Sequence, residues 1–276
     1  MLLKFARRIN LSGTLLGKIG PYFINAQFLY GSEEESNELL SFIDYELENT
    51  SKDLIPKNVF EKVLYQYENN EIYATIINAL VSYLKGTINI DDIDYISGGE
   101  RRDWFFSNMI AFLLKKPHIT VYKDLTCVLS SYNFSQNEFV SDLDGKNDLH
   151  VADILNQGSS YLRAWIPAIK NLGANIKWSL VCLDRNQGGT EKIKDAGLIP
   201  LSLLNVDAEL FEEALHLGII NENQLEMLKQ FVKEPDNTMR EFLINHPDFL
   251  ENALNSDEKT AKRAKLCIEN NFYGLK

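Results

Sequence analysis

The stretch LHVADILNQGSSYLRAWIPAIKNLGA, Leu149 to Ala174, decides the reading of this chain. An apolar, β-prone run ends at Asp153. A small polar turn, Asn156-Gln157-Gly158-Ser159-Ser160, follows, and a helical pattern runs on to about Leu172. Such a turn presents backbone N–H groups and hydroxyls at a helix start, where unsatisfied amides and the helix dipole favour a phosphate monoester. Asp153, at the carboxyl end of the strand, is placed to hold ribose hydroxyls, directly or through a cation. A strand, a turn with one glycine and a helix also describe an ordinary connection, so the rest of the chain has to decide between the two.

Outward from this stretch the texture repeats. HITVYK (His118–Lys123), NIKWSLVCLD (Asn175–Asp184) and LIPLSLL (Leu198–Leu204) read as strands, and DIDYIS before Gly98-Gly99 as a weaker one. Helical patterns lie at Asp103–Leu114 and Glu191–Ala196. This alternation predicts an α/β fold, a mostly parallel sheet flanked by helices. Nearer the N-terminus, Ser32 is a candidate helix cap before Glu33–Glu35, and the apolar spacing over Asn58–Leu84 predicts one long helix. After Asn205 no strand signal remains. A helical appendage with breaks at Glu234-Pro235, His246-Pro247 and Asn255-Ser256 is expected. The division predicted is a domain over 1–204, with an acidic insertion at 33–57, and a C-terminal helical extension over 205–276.

The 276 residues carry 28 Lys+Arg against 39 Asp+Glu, a formal net charge of −11. That acidity argues against nucleic acid as a partner, since phosphate neutralisation needs a basic face. The longest apolar run, Met109 to Leu114, is too short to span a membrane. Cys127, Cys182 and Cys267 lie far apart, and His118, His150, His216 and His246 are scattered singly. No metal site from protein side chains is expected, and the cysteine usage suits a reducing, cytoplasmic setting. Trp104, Trp165 and Trp178 read as core residues, and Lys115-Lys116 as a solvated helix end.

Four collinear segments resemble the type I phosphoribosyltransferases, and the orotate phosphoribosyltransferases in particular. The strand and turn around Asp153 are similar to the family's phosphoribosyl-pyrophosphate motif. CLDRNQGGTEKIKDAGLIPLSLL resembles the piece that follows it. ISGGERRDWFFSNMIAFLLKKPHITVYKD resembles the Gly-rich pyrophosphate turn with its helix and strand, and GKIGPYFINAQF resembles the N-terminal stretch. The resemblance implies a phosphoribosyltransferase of orotate type, acting in pyrimidine nucleotide synthesis with Mg²⁺ and as a homodimer. It places phosphoribosyl pyrophosphate on Arg102, Lys123, Asp153, Asn156, Gln157, Gly158, Ser159 and Ser160, with Asp153 in the catalytic role. It places the base on Phe23, by stacking, and on Arg185, through a carboxylate. Arg101 and Arg102 at a helix start oppose the dipole, which favours an anion-binding role.

The departures are equally specific. The family's acidic pair reads Ala152-Asp153, its N-terminal Lys falls on Leu15, and the Arg of its basic pair falls on Tyr122. The Lys and His of its flexible loop fall on Thr126 and Val128. From Asp124 to Gly145 there is no Lys, Arg or His, while Asp124, Glu138, Asp142 and Asp144 are acidic. Phosphoribosyl transfer releases pyrophosphate, and positioned cations over the leaving group stabilise the transition state. A carboxylate-bearing loop works against this. The alternative to a transferase is therefore a degenerate relative that binds a nucleotide or phosphosugar, or acts by protein contacts, without transfer.

Overall fold

The computed structural model describes residues 3–4, 19–143 and 145–275; the side chains of Leu3, Lys4, Phe23 and Lys259 are outside that description. Chain contacts divide it into two compact units, Ala26–Asn205 and a second one that joins Val206–Lys276 to the N-terminal residues up to Asn25. The N-terminal stretch thus groups with the helical extension, whereas the sequence division ran the first domain from residue 1.

The second unit holds two-residue strands β1 (Leu3–Lys4) and β2 (Phe23–Ile24), paired antiparallel. Its helices are α7 (Ala208–His216), α8 (Glu222–Lys233), α9 (Pro235–Asn245), α10 (Phe249–Leu254) and α11 (Glu258–Glu269). Breaks fall at Glu234-Pro235, His246-Pro247 and Asn255-Ser256, because Pro cannot continue a preceding helix and Asp257 caps the next one through Thr260 N. Ile19, Met239, Leu243, Ala264, Cys267 and Tyr273 form its core, and Tyr22 packs its ring against Phe211 and Phe231.

The larger unit opens with a 3₁₀ turn, Ala26–Tyr30, and helices α1 (Glu33–Asn49), α2 (Ile55–Asn69) and α3 (Glu71–Thr87). Ser32 caps α1 by accepting from Glu35 N at 3.0 Å. The single helix expected over Asn58–Leu84 is broken at Asn70. Its extended backbone closes α2, and its side chain accepts from Tyr73 N at 3.1 Å to start α3. An asparagine that competes with the helix through its own side chain breaks a pattern that apolar spacing alone reads as continuous.

The α/β core follows: β3 (Tyr95–Gly99), α4 (Trp104–Leu114), β4 (His118–Val121), β5 (Cys127–Ser130), β6 (Asn137–Phe139), β7 (Asn147–Leu155), α5 (Ile166–Asn171), β8 (Asn175–Asp184), α6 (Gly189–Asp195) and β9 (Ile199–Asn205). The seven strands lie in the order β6-β5-β4-β3-β7-β8-β9, parallel from β4 to β9 and antiparallel at β5 and β6. Side chains alternate across the sheet, as the strand pleat requires. Ile119 and Val121 of β4 join the cluster of Trp165, Ile166, Ile169 and Ile193, while His118 faces Ser107 of α4. The mostly parallel α/β sheet expected from the sequence is present. Trp104, Trp165 and Trp178 are buried.

Chain order reverses between β3 and β7: β4 lies to one side of β3, and β8 and β9 lie to the far side of β7. In open α/β sheets the crevice at the carboxyl ends of strands flanking such a reversal is where ligands bind.

Candidate functional site

The candidate site lies at the carboxyl ends of β3 and β7. Asp103, just before α4, is buried and ties them together. Its Oδ2 accepts from Gly99 N and its Oδ1 from Asp153 N, both at 3.2 Å. Two buried carboxylates thus stand side by side. Along the strand Ala152 leaves Asp153 as the single carboxylate of the Ala152-Asp153 pair, and Asp103 is its acidic neighbour from a second element. Burial pushes the Asp153 carboxyl up to about 7, and Asp103 adds to the push; Arg102 and then Arg185 oppose it by favouring the ionised form. Arg102, Asp153 and Arg185, predicted from three separate segments, therefore share one electrostatic environment.

The turn Asn156–Ser160 leads directly into a helix. Gly158 sits at φ +69°, and its carbonyl accepts from Leu162 N at 3.1 Å. Ser159 and Ser160 are exposed at the helix start, which winds as a π-turn over Tyr161–Trp165 before α5. Arg163 bends back so that its Nε donates to Ser159 O at 3.2 Å, bringing a cation to the turn. Asn156 and Gln157 are half-buried, and the Asn156 Oδ1 has no hydrogen-bond partner. The β8–α6 turn packs against it: a side chain at Gly189 would run into the Asn156 carbonyl, and Arg185 N donates to Leu155 O at 2.9 Å. Asp184 shapes that turn by accepting from Asn186 N at 2.8 Å and from the Thr190 hydroxyl.

Three expectations need correction. Gly98-Gly99 is not a turn but the end of β3. Both residues lack a side chain because one at Gly98 would meet Ser107 and one at Gly99 would enter the Trp165 indole. Arg101 does not face an anion site; it pairs with Asp44 and reaches the Leu40 carbonyl of the acidic helix α1. The segment from Asp124 is not an open loop. It forms β5 and β6 on the sheet edge, with Val128 fully buried and Asp124 paired with Lys52, which holds the Asp124 carboxyl below its usual range. Tyr122 is buried too and donates to the Lys52 carbonyl at 2.6 Å. Lys123 is paired with Glu100 at 3.1 Å. The Phe23 side chain and Leu15 lie outside the described residues.

Beneath the site runs a polar chain that sequence reasoning missed. The Ser97 hydroxyl donates to Asp148 Oδ2 at 2.7 Å and meets His150 Nδ1 at 2.8 Å. The His150 ring stacks on Trp165 and places Nε2, which has no hydrogen-bond partner, 3.6 Å from Asp103 Oδ2. Burial pushes Asp148 up to about 8 against the pull of Ser97. His118, on the other face, is held down at about 3 by burial and by His150. The sequence offered only single polar residues in apolar strands here, which carry no spacing signal. Among the described residues no group of three His, Cys, Asp or Glu side chains could hold a metal ion. No described helix is long and apolar enough to cross a membrane.

No family model matches the chain. It is 25% identical over 163 residues to an orotate phosphoribosyltransferase of Sulfolobus acidocaldarius, covering 59% of this chain and 77% of that one. It is 28% identical over 149 residues to an orotate phosphoribosyltransferase of Pyrobaculum aerophilum, covering 54% and 72%. Among solved structures, Leishmania donovani UMP synthase superposes with a TM-score of 0.54 at 13% identity, over 82% of this chain. The chain spans 39% of the length of that synthase. In sequence the chain is similar to orotate phosphoribosyltransferases, and its mostly parallel sheet with flanking helices is similar to that of type I phosphoribosyltransferase structures.

Proposed function

We propose that the α/β unit binds a 5-phosphorylated ribose at the carboxyl ends of β3 and β7, and that the protein is a phosphoribosyltransferase of orotate type. In this reading it joins phosphoribosyl pyrophosphate to a pyrimidine base such as orotate. The observation that carries it is the shared environment of Arg102, Asp153 and Arg185 beside the turn Asn156–Ser160, at the point where strand order reverses. The turn amides and the Ser159 and Ser160 hydroxyls hold the phosphate, Asp153 accepts from the ribose hydroxyls, and Arg185 pairs with the carboxylate of the base. Arg102 faces the anion that departs. With Asp153 poised near neutrality, a proton moves on or off it at little cost. Mg²⁺ would arrive with the pyrophosphate rather than in a cage of protein side chains. A homodimer working in the cytoplasm completes the proposal.

One observation favours a second reading, binding without transfer. The stretch that would close over pyrophosphate is built into the sheet edge as β5 and β6, and its Thr126 and Val128 bring no charge. Turnover of orotate with phosphoribosyl pyrophosphate and Mg²⁺, followed spectrophotometrically, separates the two. Turnover supports the transferase. No turnover, together with calorimetric binding of the phosphosugar, leaves only binding. In either case Asp153→Asn is expected to weaken phosphosugar binding by about tenfold or more, the worth of charge-assisted hydrogen bonds to buried hydroxyls. Unchanged affinity would show that the site lies elsewhere.

A further inference from the structure

Ser97, Asp148 and His150 are fully buried, and the proposed binding of a phosphorylated ribose uses none of them. The Asp148 carboxyl bonds to Ser97 through Oδ2, and its Oδ1 has no partner. An ionised carboxylate so poorly supplied with donors is costly in the interior, whereas a protonated one needs a single partner. Burial accordingly pushes Asp148 up to about 8, so its neutral form holds at neutral pH and its charged form above. Ser97 carries one hydroxyl hydrogen and stands between two partners, Asp148 Oδ2 at 2.7 Å and His150 Nδ1 at 2.8 Å. It donates to one and accepts from the other.

The direction of that chain fixes the imidazole. When Asp148 is protonated, its O–H donates to Ser97, Ser97 donates to Nδ1, and the ring proton sits on Nε2. When Asp148 is ionised, it accepts from Ser97, Ser97 accepts from Nδ1–H, and Nε2 is bare. Between the two forms one proton goes to solvent. The Asp148 proton passes to Ser97, the Ser97 proton to Nδ1, and the Nε2 proton leaves. Nε2 has no hydrogen-bond partner and lies 3.6 Å from Asp103 Oδ2, so its proton attracts that carboxylate and its lone pair repels it. Asp103 in turn holds Gly99 N and Asp153 N. The other titratable groups around the chain keep their charge state. Tyr161, edge-on to His150 at 5.0 Å, and Cys182 of β8 are held by burial well above their usual ranges. Cys127 of β5 is pushed up to about 12 by burial and by Asp148, and His118 of β4 is held down at about 3. Arg102 and Arg185, which act on Asp153, stay charged throughout.

From this we infer that Asp148, through Ser97, sets the tautomer of His150, and that His150 is thereby a positioning residue, holding the Asp103 carboxylate and with it the carboxyl ends of β3 and β7 only while Asp148 is protonated. The inference rests on the proposed phosphoribose site and adds its regulation: the site loosens its hold on a phosphorylated ribose as pH rises past neutrality. It does not depend on whether transfer occurs.

The test has two readouts on the full chain between pH 7.5 and 9.5, where a phosphate monoester is already a dianion. Nitrogen NMR of the histidine side chains, without ligand, reads the tautomer, with the His150 signals identified by their loss in His150→Gln. Calorimetric titration with ribose 5-phosphate reads the hold. In the unaltered protein the His150 proton is expected on Nε2 at pH 7.5 and on Nδ1 at pH 9.5. Affinity is expected to fall by about fivefold to tenfold over that range, the worth of about one hydrogen bond to a charged group. Asp148→Asn and Ser97→Ala each cut the link and leave His150 able to keep its proton on Nε2. Both are expected to bind as well at pH 9.5 as at pH 7.5. Damage to packing would weaken binding at every pH and would not remove the loss at high pH. Asp153, raised to about 7, completes its ionisation alike in all three proteins. A proton on Nδ1 or an imidazolium at pH 7.5, or a loss of affinity at high pH that persists in both variants, overturns the inference while the phosphoribose site stands. If ribose 5-phosphate does not bind the unaltered protein at either pH, the site itself is wrong and the positioning role of His150 falls with it.

Discussion

Gly99→Ala is expected to destabilise the protein by about 3 kcal/mol, at the severe end of what overpacking a core position costs. A methyl group at this position lies inside the Trp165 indole. The indole cannot yield easily: it is buried, stacks on His150 with 24° between the rings, and belongs to the π-turn that begins the helix after the Asn156–Ser160 turn. Gly99 N also donates to Asp103, so any shift of β3 that relieves the clash moves the carboxylate that holds Asp153 N. Urea unfolding at constant slope reads the stability, and ribose 5-phosphate titration reads the site. Gly99→Ala with Trp165→Leu should recover part of the loss, because the two side chains compete for one volume. A loss below about 0.5 kcal/mol, within the range of ordinary surface substitutions, would show that the close approach is not rigid.

The second large effect concerns pH. Asp148 is fully buried, and burial places its carboxyl at about 8 in the folded protein against an ordinary value of 3.8. A carboxyl raised on folding favours the folded state most when both states are protonated. Its contribution is complete below the unfolded value near 4 and is lost as pH rises through 8. Asp148→Asn removes the titration while keeping an acceptor for the Ser97 hydroxyl. The variant should match the unaltered protein near pH 4 and become progressively more stable than it towards pH 8, by an amount on the order of several kcal/mol. Asp153, raised to about 7 by burial and by Asp103, adds to the slope in both proteins and cancels in the difference. Thermal unfolding of the two proteins across pH 4–9 measures this. A constant gap over that range would mean that Asp148 does not titrate there.

Much of the fold was legible because parallel strands buried on both faces read as apolar runs, and NIKWSLVCLD and LHVADIL are such runs. The turn at Asn156–Ser160 was legible because small polar residues between a strand and a helix have few other uses. Three features were not. Asn70 breaks a helix through its side chain, which apolar spacing does not register. β5 and β6 are short strands of four and three residues, where β5 is set by its register with β4 and the edge strand β6 by its register with β5. Asp103 lies fifty residues from Asp153 in sequence, so the carboxylate pair exists only once β3 and β7 lie side by side. Arg102 and Arg185 reached the site through their resemblance to known segments. Lys123 was matched in the same way, but its partner Glu100 could be found only from the geometry.

The central claim is that the turn after β7 holds the phosphate of a phosphorylated ribose. Its most direct test is calorimetric titration of ribose 5-phosphate into the full chain and into Ser160→Glu. Ser160 is exposed in the first turn of the helix, where a carboxylate suits the helix dipole and should leave the thermal midpoint unchanged or slightly higher. The same carboxylate occupies the anion position. Measurable binding to the unaltered chain, abolished by Ser160→Glu at undiminished stability, is the expected result. Equal binding to both proteins, or none to the unaltered chain, would contradict the claim.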